Sequence, residues 1–266
     1  MSQPGGPVLF VHGLWLHPTS WGQWEDFFRD AGHSPLAPGW PGVSDTVEET
    51  RRNPAKVAGK GIEDVVQHYA RIIRDLDTPP IVIGHSFGGL ITQRLLGQGL
   101  AAAGIGIDAA PIKGVILLPP SALRVASIAL RNPRNRNRAV ALTREQFRYG
   151  FGNAVPERES DELYDRWAIP STGKPLFEAA VANLSPHSPA KVDTGNPTRG
   201  PLLLIAGGAD RTVPASITRS TLNLYRKSPA ITGYQDFPSR GHSLTIDHGW
   251  HDVADACLTW LKEQAL

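Results

Sequence analysis

One serine set between glycines is the first candidate for chemistry in this sequence. The stretch "IVIGHSFGGL", residues 81–90, is an apolar run that stops at Gly84, presents Ser86 and resumes after two more glycines. It fits G-x-S-x-G, a pattern in which a strained turn between a strand and a helix exposes the serine hydroxyl. Glycines two residues before and after the serine let the backbone cross closely. Ser86 is therefore the candidate nucleophile, and the alternative is an incidental serine in a glycine-rich turn.

A serine hydroxyl is a weak nucleophile, so it needs a histidine base that a third group holds in place. His242 lies in "RGHS", after a predicted strand, and is the candidate base; an ordinary surface-loop histidine is the alternative. Asp210 directly follows "LLLIAGGA" and is the preferred acid, although an aspartate there could simply cap the next helix. Asp236 and Asp247 remain alternative acids. No acid follows "GVILLPP", the other predicted strand end at which this role could be placed.

Strands and helices that alternate along the chain must position these groups. Short apolar runs bounded by Gly or Pro predict buried strands, because strands covered on both faces are nearly continuously apolar. The runs are "PVLFVHG", "PPIVIGHS", "KGVILLPP" and "PLLLIAGG", and "ITGYQDF" is a further predicted strand. Helical patterns lie between or after them in "SWGQWEDFFRDAG", "GIEDVVQHYARIIRDLD" and "WHDVADACLTWLKEQ". This alternation predicts an α/β fold with a doubly wound, mostly parallel sheet and helices on both faces.

One long segment breaks this alternation. Residues 121–199 contain no strong strand run and are rich in Pro, Arg, Asn and Ser. We expect a helical lid there, inserted into a core made of residues 1–120 and 200–266. The run "RNPRNRNR" within the segment is either a solvated charged face or a site for an acidic substrate.

Composition excludes several classes of protein. A formal net charge of +2 is too small for a nucleic-acid-binding face. The single cysteine, Cys257, excludes an intramolecular disulfide and a zinc-binding cysteine cluster, and we expect it in the core. The apolar stretch near the N-terminus is too short for a signal peptide or a membrane span. We therefore expect a cytoplasmic protein with no metal, no cofactor and no membrane partner.

Arginine outnumbers lysine, which is typical of GC-rich bacterial genomes. The sequence leaves the oligomeric state open.

The positions of four motifs suggest a family. Ligands of open α/β sheets bind beyond the carboxyl ends of the strands, where "FVHGLWLHPTSW", "GHSFGGL", "GGADRTVP" and "GHS" lie. These motifs resemble the oxyanion loop, nucleophile elbow, acid turn and histidine loop of the α/β-hydrolase family. The resemblance covers essentially the full chain. The order Ser86, Asp210, His242 is also the order found in that family.

The resemblance implies further features. The backbone N–H groups of Leu14 and Phe87 would form the oxyanion hole, while a plain turn at "HG" is the alternative for the first loop. The two strands that often precede the first one in the family are missing here, which leaves about six. Ser86 stands where some members carry an aspartate, which argues against a haloalkane dehalogenase or epoxide hydrolase mechanism.

Three residues are candidates for substrate binding: Trp15, His85 and Trp167. Trp15 adjoins the predicted oxyanion loop, although tryptophan is more often a core residue. His12, in the same loop, is expected to brace the loop rather than to transfer protons.

Together these observations predict a serine hydrolase that cleaves a small-molecule carboxylic ester through an acyl-enzyme. The same three residues, Ser86, Asp210 and His242, could instead act on a thioester, a lactone, a carbon–carbon bond or a cyanohydrin, or in perhydrolysis, because selectivity lies in the lid and the pocket. Two hypotheses without catalysis also stay open. The protein could be a ligand receptor with little turnover, or a structural protein with an incidental serine turn.

Overall fold

The computed structural model describes residues 5–117 and 119–266. Its centre is a six-stranded parallel sheet with the strand order β2-β1-β3-β4-β7-β8, and β5 and β6 form a separate antiparallel pair. The strands are β1 (Pro7–Val11), β2 (Ser34–Leu36), β3 (Ile81–His85), β4 (Ala103–Ile107), β5 (Ala139–Val140), β6 (Ser171–Thr172), β7 (Leu202–Gly207) and β8 (Thr232–Phe237). The prediction of a doubly wound parallel sheet of about six strands is confirmed.

Helices cover both faces of this sheet. They are α1 (Gly22–Asp30), α2 (Val47–Arg52), α3 (Ile62–Arg74), α4 (Phe87–Gly97), α5 (Pro120–Leu130), α6 (Arg144–Gly150), α7 (Glu157–Trp167), α8 (Lys174–Ala180), α9 (Ala215–Tyr225) and α10 (Trp250–Glu263). No helix in residues 5–117 or 119–266 is both long enough and apolar enough to cross a membrane.

The sheet separates two apolar clusters, because successive side chains of a strand point to opposite faces. On one face, Val8 and Phe10 of β1 pack in the cluster that includes α1 and α10. On the other face, Leu9 and Val11 pack in the cluster that includes α3 and α4. Cys257 of α10 is fully buried, so the prediction that it belongs to the core is confirmed.

One predicted strand is wrong. Residues 113–117 of "KGVILLPP" form a turn and irregular structure, and Ile116 and Leu117 are 79% and 43% exposed. Leu118 lies outside the described residues. Leu117 lines a cavity, and apolar residues at the mouth of a cavity give the same local pattern as a buried strand.

Of the six sheet strands, the sequence pattern missed the three-residue strand β2 and also β4, "AGIGI". Its glycines weaken the strand signal, since glycine is depleted in strands. The glycines of β4 are needed for packing, because α4 approaches this strand closely and leaves little room for a side chain. A Cβ added to Gly104 would lie 3.0 Å from Leu96 Cδ2 of α4.

The connection between β4 and β7 carries α5 to α8 together with β5 and β6. Trp15 ties this connection to the loop after β1. Its backbone N–H donates to Ser171 Oγ at 2.8 Å, and its Nε1 donates to the carbonyl oxygen of Val140 at 3.0 Å. The segment predicted as a lid, residues 121–199, falls within this connection, and both the boundaries of the lid and its role stay predictions.

Candidate active site

Ser86 lies at the turn between β3 and α4. Its backbone has φ 56° and ψ −122°, a left-handed conformation that is uncommon for a residue with a side chain. The flanking glycines make this crossing possible. A Cβ on Gly84 would collide with the carbonyl oxygen of Gly88, and a Cβ on Gly88 would collide with that of Val11. The sequence thus places Ser86 on a strained elbow at the carboxyl end of the sheet.

His242 and Asp210 are joined by a short hydrogen bond. Asp210 follows β7 and His242 follows β8, so both lie at the same end of the sheet as Ser86. His242 Nδ1 donates to Asp210 Oδ2 at 2.6 Å, and both side chains are fully buried. Asp210 Oδ1 also accepts from the N–H groups of Thr212 at 2.6 Å and Val213 at 2.9 Å. Asp210 therefore caps the following turn and holds the imidazole at the same time.

The two alternative acids are engaged elsewhere. Asp236 pairs with Arg219 at 3.1 Å. Asp247 accepts from Ser243 Oγ at 2.8 Å and also pairs with Arg240. Of the three aspartates that the sequence suggested, Asp210 is the one that contacts His242.

A fourth buried aspartate, Asp108, was missed because the strand before it was missed. It follows β4 directly, is fully buried and has a backbone φ of 43°. Its Oδ1 accepts from the N–H of Gly207 at 2.6 Å, and its Oδ2 lies 3.9 Å from His242 Nδ1. Burial, followed by the neighbouring Asp210 carboxylate, raises the pKa of Asp108 well above its usual range. The signal that could have revealed it is the alternation of isoleucine and glycine in "GIGID".

The loop after β1 lies against the elbow. A Cβ added to Gly13 would lie 2.7 Å from Ser86 Cβ and 2.9 Å from the carbonyl oxygen of His85. The backbone N–H groups of Leu14 and Phe87 flank this contact. Neither N–H donates to another residue in the part of the chain that the structure describes. Both are therefore free to donate to a ligand.

His12 braces this loop. Its Nε2 accepts from the N–H of Trp40 at 3.0 Å, and its Nδ1 donates to the carbonyl oxygen of Gly13 at 2.8 Å. Burial lowers the pKa of His12 to about 3. The ring is therefore neutral at physiological pH and has both nitrogens occupied, as expected of a bracing residue.

A cavity of about 180 Å³ opens beside Ser86. Trp15 and Phe87 line it, together with Thr212, Val213 and Ile217 from the segment after β7. The remaining wall comes from apolar residues of the β4–β7 connection, including Ala122, Leu123, Val125, Ala126, Leu176 and Ala179. Among the described residues that line the cavity, none carries a charge.

Comparison with known proteins identifies the family. The sequence model of the "Alpha/beta hydrolase family" matches residues 8–256. The chain belongs to the alpha/beta hydrolase family. A search of curated proteins finds no match.

Solved structures of other proteins resemble this alpha/beta hydrolase across nearly its whole length. A monoacylglycerol lipase from Paleococcus ferrophilus is 21% identical, with a TM-score of 0.67 over 96% of this chain and 93% of the lipase. An extracellular alpha/beta-hydrolase from a Paenibacillus species is 19% identical, with a TM-score of 0.69 over 95% and 98% of the two chains. A thermophilic esterase from Thermogutta terrifontis is 17% identical, with a TM-score of 0.66 over 97% and 90%. At these identities the likeness shows the shared fold.

Two residues that the sequence suggested for substrate binding lie outside the cavity wall of this hydrolase. His85 is buried, and its ring centroid lies 4.5 Å from that of His242. Burial lowers the pKa of His85 well below its usual range, and so does the neighbouring His242. Trp167 lines a separate surface groove together with Leu163 and Trp250. Trp15 is the candidate that lines the cavity, and substrate binding by all three stays a prediction.

One cluster in residues 5–117 and 119–266 has the composition of a metal site. His85, Asp108 and His242 each offer one ligand atom, and these atoms lie within 4.8 Å of one another. However, His242 Nδ1 already donates to Asp210, so a metal ligated by this nitrogen would have to displace that hydrogen bond. The arrangement is therefore better suited to holding an imidazole than to holding an ion.

Proposed function

We propose that this alpha/beta hydrolase is a serine esterase that cleaves carboxylic esters carrying an apolar group. Ser86 is the nucleophile, His242 the general base and acid, and Asp210 the residue that orients the imidazole. The observation that carries the proposal is the buried 2.6 Å hydrogen bond from His242 to Asp210 at the sheet edge that also bears the Ser86 elbow.

The first half of the reaction acylates the enzyme. Ser86 Oγ attacks the ester carbonyl carbon, while His242 Nε2 takes the hydroxyl proton. Nε2 is buried and has no hydrogen-bond partner among the described residues, Ser86 Oγ included, so the two atoms must approach each other for this transfer. Asp210 stabilises the imidazolium that forms. His242 then gives the proton to the leaving alcohol as the tetrahedral intermediate collapses.

The second half releases the acid. His242 takes a proton from water, the hydroxide attacks the acyl carbon, and the proton returns to Ser86 Oγ as the carboxylic acid leaves. In both halves the N–H groups of Leu14 and Phe87 donate to the oxyanion. One such donor typically contributes about 3 kcal/mol to transition-state stabilisation.

The cavity supports the choice of an apolar substrate group. Its lining is apolar and, among the described residues, uncharged. Burying an unpaired charge there would be strongly unfavourable, whereas burying an apolar chain gains about 25 cal/mol per Å² of buried surface. Two similar solved structures are named a monoacylglycerol lipase and an esterase, and both names refer to ester substrates.

The test uses p-nitrophenyl esters from acetate to dodecanoate together with a fluorophosphonate that labels activated serines. We expect the wild type to hydrolyse the esters and to be labelled. Ser86→Ala should lose labelling and lower turnover by on the order of 10⁴-fold or more. Ser127→Ala, which alters an exposed serine of α5, is the matched control and should behave like the wild type.

The outcomes separate the nucleophile from the substrate class. Unchanged ester turnover by Ser86→Ala would overturn the mechanism. Labelling of Ser86 without turnover of any ester would keep the nucleophile and overturn the ester class. Thioesters, lactones and carbon–carbon substrates would then be assayed in turn.

A further inference from the structure

Two carboxyl groups face the same nitrogen of His242. Asp210 Oδ2 lies 2.6 Å from Nδ1 and Asp108 Oδ2 lies 3.9 Å from it, and all three side chains are fully buried or nearly so. A Ser-His-Asp mechanism needs one carboxylate. Asp108 is therefore a buried acid that the proposed function does not use.

The hydrogen bonds of the two carboxyl groups differ. Asp210 accepts three hydrogen bonds, from His242, Thr212 and Val213. Asp108 accepts one, from Gly207, and its Oδ2 has no partner among the described residues. Two carboxylates sharing one buried site do not both ionise readily, because like charges repel strongly where water is excluded. Asp108, which accepts one hydrogen bond where Asp210 accepts three, is the carboxyl group whose pKa is raised by burial and by its neighbour, so the proton resides on Asp108.

We propose that Asp108 is a second positioning acid, held neutral beside the Asp210–His242 pair and able to orient His242 as a carboxylate when Asp210 is absent. This inference rests on the proposed function. The gap of 3.9 Å must shorten by roughly 1 Å to make a hydrogen bond, which a side-chain rotation within the site can supply. Loss of the Asp210 carboxylate also removes the charge that opposes ionisation of Asp108.

Asp108→Asn is the appropriate variant. The amide oxygen can still accept from Gly207, the amide N–H₂ imitates a protonated acid, and asparagine tolerates the positive φ of this position. The variant should therefore fold, and it removes the one property that the proposal requires, the capacity to ionise.

The experiment is a double-mutant cycle on kcat/KM with Asp108→Asn, Asp210→Asn and both changes together. We expect Asp108→Asn alone to lower kcat/KM by less than about 5-fold, Asp210→Asn alone by roughly 10²-fold, and the double variant by about 10⁴-fold. The 10²-fold difference between Asp210→Asn and the double variant measures how far Asp108 replaces Asp210 in positioning His242. Asp236→Asn, combined with Asp210→Asn in the same way, is the matched control and should add nothing comparable.

The pH profile distinguishes positioning from a merely structural role. The titratable groups that face Asp108 are Asp210 after β7, Asp236 of β8, His242 after β8 and His85 of β3. In Asp210→Asn, activity should rise with pH as Asp108 ionises, so the acid limb should lie at higher pH than in the wild type. The double variant should lack this limb. An equal loss on changing Asp210, whether position 108 holds Asp or Asn, would overturn the proposal.

Stability gives a readout that does not need catalysis. The pKa of Asp108 is raised above its usual 3.8, so its contribution to stability is full below about 3.8 and is lost as the pH rises toward the folded-state value. Asp108→Asn should thus gain stability over the wild type as the pH rises above 4. If this gain appears but no Ser86-dependent turnover exists, the esterase proposal fails and the neutral acid stands. If the gain is absent, Asp108 is ionised and the inference fails.

Discussion

The carboxyl ends of the sheet strands and the connection between β4 and β7 both reach the cavity beside Ser86, but they bring opposite kinds of side chain to it. The strand ends bring the Ser86 side chain to the cavity wall and carry the buried, hydrogen-bonded pair of Asp210 and His242. The connection brings alanines, leucines and Val125, which carry no polar side-chain atoms. Under the proposed function, this comparison assigns the chemistry to the strand ends and the selectivity to the connection, two separate stretches of the chain. Changes to the first should abolish turnover, and changes to the second should alter which ester is preferred.

The largest effect is expected at the strand ends. In Gly13→Ala the new Cβ would lie 2.7 Å from Ser86 Cβ and 2.9 Å from the His85 carbonyl oxygen, so the loop after β1 must move away from the elbow. We expect kcat to fall by roughly 10²-fold for every ester, because a displaced donor no longer meets the oxyanion. Steady-state kinetics on short and long esters measure this.

Gly22→Ala is the control for that change, since nothing lies within 4 Å of a Cβ added at Gly22. If Gly13→Ala lowered kcat for long esters only, the assignment of selectivity to the connection would be wrong, because selectivity would then lie at the strand ends.

The second effect concerns the connection. Ala126→Phe places a ring in a cavity of about 180 Å³, so kcat/KM for dodecanoate should fall by roughly 10- to 100-fold while acetate is affected far less. Ser127→Phe adds the same ring one residue along on the exposed face of α5 and should leave the preference for chain length as it is. An equal loss on both esters in Ala126→Phe would contradict the assignment of selectivity to this segment.

The smallest expected effect is a change in stability at acid pH. It concerns His12, which follows β1 and so also lies at a strand end. The pKa of His12 is lowered by burial to about 3, from an ordinary value of 6.5. The unfolded chain therefore binds a proton at this residue below about pH 6.5 whereas the folded chain does not. Stability is present above that pH and falls by up to about 1.4 kcal/mol per pH unit for this residue as the pH drops toward 3.

His12→Asn should reduce the loss of stability with falling pH by up to about 1.4 kcal/mol per pH unit. It should also lower the stability at pH 7, because the bracing hydrogen bonds are lost. Urea unfolding between pH 7 and 4 measures both effects. An unchanged slope would show that His12 is protonated in the folded protein.

Of the strands that the sequence predicted, β1, β3 and β7 are buried along nearly their whole length, whereas β8 is half-buried. The runs that became β3 and β7 are continuously apolar, and the residues after them, Ser86 and Asp210, were therefore found. β4 was missed because Gly104 and Gly106 make room for neighbouring packing in place of apolar bulk, and Asp108 was missed with it. Local patterns carry no record of such close approaches.

The residues that line the cavity were harder to predict, because their position depends on contacts between distant parts of the chain. Trp15 and Trp167 are equally buried tryptophans, at 3% and 5% exposure, and only long-range packing places the first beside Ser86. Leu117 belongs to an apolar run that is partly exposed at the cavity mouth, and no local rule distinguishes it from a strand residue.

Trp15 joins the loop after β1 to the connection between β4 and β7. It follows Leu14 in the chain. Two of its hydrogen bonds hold Ser171 and Val140 of the small β5–β6 pair, and its carbonyl oxygen accepts a third from the N–H of Ile169. A movement that lifts this pair off the core must break both bonds, at about 1 kcal/mol each, or drag the Leu14 N–H with it. Under the proposed function, in which the Leu14 N–H donates to the oxyanion, the order of the connection and the position of this donor should therefore be thermodynamically linked.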